Sequence, residues 1–254
     1  PTRQELREYL NYFGRQRHLP ENFAHDVILT YRTPNVMNSL ARSVLALYST
    51  DPRADDISVE NLIAQAISLI AKFPAIVAYA YSALQQKYYN KSLYIHPVQE
   101  KLSTAENFLS MMRVDGKYTE LEARIVDVML ILHADHGGGN NSTFTTRVVS
   151  STNTDSYSAI AAAIGSLKGP LHGGANKSVM EMMSDIKKNV SNWSSKQQIK
   201  NYLIKILKGE AGDGSGKVYG FGHAVYTKSD PRAVILKEYA IKLAKQKKRE
   251  KELE

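Results

Sequence analysis

The sequence predicts an all-α fold. Apolar residues recur at helical spacing along most of the chain, capping and stopping residues bracket those runs, and strand-like alternation is nearly absent. From Leu121 the apolar positions Leu121, Ile125, Val128 and Leu132 form one face of an amphipathic helix. Val59 to Tyr81 is a second apolar stretch. Pro74 inside it is expected to kink or split the helix, because proline removes a backbone donor and clashes with the preceding turn. A third helix is expected from about Asp155 to Lys168, stopped by Gly169-Pro170. A fourth should follow Gly173-Gly174, and a fifth should run from about Ser195 to Lys208 and end at Gly209. The last should begin at Asp230-Pro231, with Asp as N-cap and Pro as first helical residue.

Composition narrows the function classes. The chain has 254 residues, 43% of them hydrophobic, which is enough for a real core in one or two domains. It has no cysteine, so disulfides and thiolate metal ligands are excluded, which suits a reducing compartment. No uninterrupted apolar run approaches the ~20 residues that span a bilayer. Pro1 to Glu8 are charged and lack a signal-peptide core. A soluble protein without a membrane partner is expected.

The net charge is +8, but Lys242 to Glu254 supplies +3 of it through six basic and three acidic residues. That tail reads as a solvated helical face carrying Lys242, Lys245, Arg249 and Glu252. The charge therefore argues for anionic small molecules rather than nucleic acid. The segment Glu210 to Lys217, with Gly212, Gly214 and Gly216, reads as a flexible loop. It is not a P-loop: Ala211 stands where the first glycine should be, and Val218 where Ser or Thr should follow the Lys. Nucleotide hydrolysis is excluded on that ground.

Three clusters carry candidate chemistry. The first is His133-Ala134-Asp135-His136-Gly137-Gly138-Gly139-Asn140-Asn141-Ser142. His136 extends the Leu121 face by four residues, near the helix end, and the glycines let the backbone approach a ligand. The alternative is a glycine C-cap with a satisfied histidine. A metal site from His133, Asp135 and His136 lacks a further ligand at suitable spacing, so no metal is expected. The second cluster, Lys168 to Asn176, places His172 before a helix start, where the helix dipole suits a neutral ring that can donate to a developing enolate. The alternative is a simple helix-start turn. The third is Val218-Tyr219-Gly220-Phe221-Gly222-His223-Ala224-Val225-Tyr226, followed by Asp230-Pro231-Arg232. His223 sits on a backbone able to approach a ligand, and the Arg232 fork suits a carboxylate. A buried structural ion pair is the alternative for Arg232.

These motifs, in this order, resemble the citrate synthase family, including 2-methylcitrate synthases of bacterial type. The likeness is close at 133–142, 169–176 and 220–232, and weaker over 72–81 and 102–112. The Gly137–Gly139 triplet replaces a Glu found in many members but keeps the spacing to Asn140. The resemblance implies a helical large domain with a smaller helical domain inserted, divided here as 1–173 (dimer-forming) and 174–254. It implies condensation of acetyl-CoA with oxaloacetate and water to citrate and CoA, through an enol and a citryl-CoA intermediate. CoA enters as substrate, with no covalently bound cofactor and no metal.

His172 would stabilise the enol, and His223 would polarise the oxaloacetate ketone. His136, Asn140 and Arg232 would hold oxaloacetate. Gly220, Phe221, Gly222 and Lys228 would contact CoA. Such chemistry needs a positioned base, donors aimed at the enolate oxygen, and closure that expels water. The family's base is an Asp well downstream of His223, and only 31 residues follow His223 here; Asp135, Asp213 and Asp230 do not occupy its place. The sequence is therefore expected to be truncated at both ends relative to a full synthase. The resemblance also implies a cytoplasmic homodimer of bacterial type, with the small residues of 143–168 (Ser150, Ser151, Ala159, Ala161, Ala162, Ala163, Gly165) at its interface or in tight internal packing. Propionyl-CoA as the acyl donor, a citrate-cleaving lyase and a non-catalytic helical domain of the same fold are the competing readings.

Overall fold

The computed structural model describes residues 1–134, 139–222 and 226–249. The chain divides into two compact units, 1–167 and 168–254, and every regular element among the described residues is helical.

The first unit is built around one long helix. α1 (Arg3–Arg15) opens on a reciprocal cap: the Thr2 hydroxyl accepts from the Glu5 N–H and the Glu5 carboxylate accepts from the Thr2 N–H. A π-helical turn (Ala24–Leu29) precedes α2 (Val36–Leu47), which Asn35 caps. α3 (Val59–Tyr89) follows a short 3₁₀ turn. It packs against α1, α2, the π-helical turn and α4 (Thr104–Met112), burying Leu69, Ala71, Ala75, Ile76 and Ala78. α5 (Glu120–Ala134) packs on α4, and α6 (Asn141–Ser150) pairs with α7 (Ser156–Leu167), which lies on α2.

Two expectations about α3 are corrected. Pro74 does not split the helix, which runs unbroken for 31 residues. The proline ring costs a backbone bond to Ile70, an exposed residue where water can replace the lost donor. Ala75 and Ile76, next to it, are fully buried, so tertiary packing holds the helix on both sides of the proline. The helix is also long and apolar enough to cross a membrane by length and composition, contrary to the reading of its runs. Its packing is that of a core helix. Its buried amides face protein acceptors, with Asn61 Nδ2 donating to the carbonyls of Arg53 and Asp56 and Gln65 Nε2 donating to the Asp51 carboxylate.

On α5 the predicted face is the inner one: Val128 is buried and Leu121, Ile125 and Leu132 are half-buried, while Met129, Leu130 and Ile131 are exposed. The buried Glu122 was not foreseen. Arg113 grips it bidentately at 2.8 and 2.9 Å, a geometry that pays for removing the carboxylate from water. Ala159 and Ala163 are buried within the unit, whereas Ser150, Ser151 and Gly165 are exposed.

The second unit holds α8 (Ala175–Asn189), α9 (Lys196–Leu207) and α10 (Pro231–Gln246). Met182, Ile186 and Val190 meet Ile206, and Val218 and Tyr219 close over them. α10 ends at Gln246, earlier than the expected charged face. Lys248 turns left-handed (φ 55°) and the Arg249 N–H bonds back to Ala244 O at 2.8 Å, a Schellman-type stop that ends the helical face before Arg249.

Tyr157 on α7 donates to Asp51 at 2.7 Å, beside bonds from Gln65 and the Arg53 N–H. Burial alone would raise the Asp51 carboxyl, but these donors outweigh it and hold its pKa below the usual range. Because that pKa is lowered on folding, the stabilisation is present above the unfolded value near ~4 and is lost as pH falls through the folded value. Tyr157→Phe should cost about 1 kcal/mol at neutral pH. Urea unfolding of both proteins should show the penalty shrinking below pH ~4; an equal penalty at pH 7 and pH 3 would contradict this.

Candidate active site

In the second unit, His172 sits in the turn 168–174 that leads into α8. The His172 and Gly174 N–H groups both donate to Gly169 O, at 3.0 and 3.2 Å. Gly174 is the N-cap of α8 and has no side chain to cap it. A Cβ there would lie 2.9 Å from Pro170 Cα and 3.0 Å from Gly169 O, so the turn closes this tightly only around glycine. The result is a half-buried His172 beside a fully solvent-facing Leu171.

The loop before His223 is anchored by Val218 and Tyr219 in the unit's core. Gly220 and Gly222 have φ +86° and +81°, conformations that favour glycine. A Cβ on Gly220 would lie 3.3 Å from Val179 Cγ2, so the loop runs close against α8. Phe221 projects outward with most of its ring exposed, and Lys228 is exposed. In the adjoining glycine-rich loop, hydrogen bonds from Ser215 and Tyr219 pull the exposed Asp213 carboxyl down to about 2. So weak a base is poorly matched to abstracting a proton near neutral pH.

Arg232 lies in the first turn of α10. Asp230 caps the helix by accepting from the Arg232 N–H at 2.9 Å, and the same carboxylate takes the Arg232 side chain at Nε (3.0 and 3.2 Å) and Nη2 (2.7 Å). Arg232 thus forms an ion pair, partly exposed rather than the buried one the sequence left open. Tyr226 lies across the guanidinium, its ring centre 5.9 Å from Cζ. Sequence reading missed this cluster because it took Asp230 only as a cap. The signal was the acid–base pair two residues apart at a helix start.

In the first unit, Asn140 is the N-cap of α6. Its Oδ1 accepts from the Thr143 N–H at 2.8 Å and from the Ser142 hydroxyl, and its Nδ2 donates to Thr143 Oγ1. His133 Nδ1 lies 2.6 Å from Met129 O, one turn back along α5. Asp135, His136 and His223 lie outside the described residues. Among the described residues, no three His, Asp or Glu side chains gather where they could hold a metal ion.

An all-α protein whose candidate residues Asn140, His172 and Arg232 stand at or beside helix N-termini is the class that fold and site define. The family model for the citrate synthase C-terminal domain matches residues 1–254. A citrate synthase of Deinococcus radiodurans is 35% identical over 240 residues, covering 94% of this chain and 58% of its own length. A 2-methylcitrate synthase of Shewanella oneidensis is 38% identical over 177 residues, covering 69% of this chain and 42% of its own. The solved ternary complex of Thermoplasma acidophilum citrate synthase with carboxymethyl coenzyme A and oxaloacetate superposes with a TM-score of 0.76 at 28% identity, covering 97% of this chain and 60% of that one. The chain belongs to the citrate synthase family. It spans a little over half the length of the first of these relatives.

Gly174→Ala should disturb the His172 turn without changing helix propensity for the worse. It should cost about 1–3 kcal/mol through the forced backbone shift and move the His172 backbone amide resonance. Unchanged thermal stability together with an unmoved His172 resonance would contradict the close fit.

Proposed function

We propose that the protein condenses acetyl-CoA with oxaloacetate and water to give citrate and CoA. The observation that carries this reading is the match of the whole chain to the family. The local geometry supports it. His172 is held half-buried at a glycine-closed helix start, suited to donate to the thioester oxygen as the methyl group passes its proton to a carboxylate base, a role that none of Asp135, Asp213 and Asp230 fills, and the enolate charge develops there. Arg232 presents a cation in the first turn of α10, where the helix N-terminus adds positive potential for a carboxylate. His136 and Asn140 would assist in holding oxaloacetate. His223 would polarise its ketone as the enol carbon attacks, and pass a proton to the alkoxide. Gly220, Phe221, Gly222 and Lys228 would meet CoA, with the positive φ of both glycines allowing close backbone approach. Hydrolysis of the citryl thioester then releases CoA.

Residues 1–173 would form the large-domain part and 174–254 the small-domain part. A homodimer is part of the reading, supported by the exposed Leu130 and Ile131 on α5 and Phe144 and Val148 on α6, which a second copy would cover. A cytoplasmic location fits α3 as a core helix rather than a membrane span.

The likeness to a 2-methylcitrate synthase favours a second reading in which propionyl-CoA is the donor. One methylene is worth only ~10–200-fold in discrimination, so comparing kcat/KM for the two thioesters decides between them. For either donor, His172→Ala should lower kcat by about 10²–10⁴-fold while oxaloacetate binding persists. Turnover unaffected by the substitution would overturn the role given to His172.

A further inference from the structure

We infer that Lys72 is an acylation site: its amine, set in the lining of a cavity in the first unit, takes the acyl group of a small thioester and becomes an amide. The cavity has a volume of about 360 Å³ and is lined only by residues of that unit. Lys72 stands in the middle of α3 and is half-buried. Its Nζ donates to the carbonyl of Gln16, the C-cap of α1, at 2.9 Å and to Ser68 Oγ, one turn back on α3, at 2.6 Å. Neither partner is charged.

A neutral amine has two N–H bonds and a lone pair, whereas an ammonium has three N–H bonds and no lone pair. Two neutral acceptors therefore use every proton of the neutral form and leave its lone pair uncommitted. Burial acts in the same direction: it lowers the Lys72 pKa, against the attraction of the Asp51 carboxylate. The other ionisable groups lining the cavity are Tyr12, His18, Arg53 and Tyr157. A desolvated lysine beside open space is an activated nucleophile. Its lone pair attacks the thioester carbonyl carbon, the C–N bond forms and the C–S bond breaks. Sulfur leaves as thiolate, and the surplus proton on nitrogen passes to solvent. The amide product is uncharged and keeps one N–H for two acceptors, so acylation loosens the tie between α1 and α3.

The test treats the protein with S-acetyl-N-acetylcysteamine, a thioester without a nucleotide, so its outcome does not depend on the proposed condensation. Peptide mass spectrometry follows acetylation of Lys72 beside that of the exposed Lys87 and Lys91. At pH 7 Lys72 should be acetylated faster than both. The ratio should fall toward one as pH rises to ~10, where exposed lysines also lose their protons, and should reach one in denaturing urea. Treatment should also lower the melting temperature of the protein but not that of its Lys72→Arg form. Acetylation of Lys72 no faster than of Lys87 and Lys91 at pH 7 would overturn the inference. So would a ratio that does not change with pH, a preference that persists in urea, or an equal loss of melting temperature in both forms.

Discussion

The first amides of an α-helix have no partner within their own helix, and this chain's candidate chemistry is concentrated where that demand is met. α6 meets it with Asn140, α10 with Asp230, and α8, whose Gly174 offers no side chain, with the carbonyls of His172 and Gly174, which accept from the Ala175 and Lys177 N–H groups. Each solution fixes a backbone direction, and each places a polar residue at the positive end of a helix. His172 stands ahead of α8, and Arg232 is in the first turn of α10. Capping therefore falls on residues in or beside the candidate site. A change at Asp230 acts on both the cap and the Arg232 side chain, whereas one at Gly174 acts on His172 through the turn alone.

The first unit depends on a different balance. Its long axis, α3, carries a proline and two buried amides: the burial of Ala75 and Ile76 keeps the helix continuous through Pro74, and the surrounding backbone supplies acceptors to Asn61 and Gln65. Arg17, almost wholly buried, does the same for the segment before α4, donating to the carbonyls of Gln99 and Leu102 at 2.6 Å each. Buried polar groups with matched partners fix the path of irregular segments more narrowly than apolar packing does.

The helical architecture was legible because its signals are local. The Asp230-Pro231 start, the Gly169-Pro170 stop and the Leu121 face each follow from residues a few positions apart. The continuity of α3 was not legible, because it rests on burial of Ala75 and Ile76 against helices distant in sequence. The same holds for Arg17, whose acceptors lie more than eighty residues away, whereas Arg113 and Glu122 are nine residues apart and meet across the connection from α4 to α5. At the site, sequence reading singled out His172 and Arg232 and the glycine loop before His223. It did not find the dual use of Asp230 or the ring of Tyr226, since a short-range charge pair looks the same in sequence whether or not the two side chains meet.

The central claim is that the N-terminus of α10 receives oxaloacetate through Arg232. Nuclear magnetic resonance of the isotopically labelled protein during titration with oxaloacetate tests it most directly. The account predicts a saturable shift of the Arg232 guanidinium resonances. Saturable binding that leaves them unmoved would contradict it.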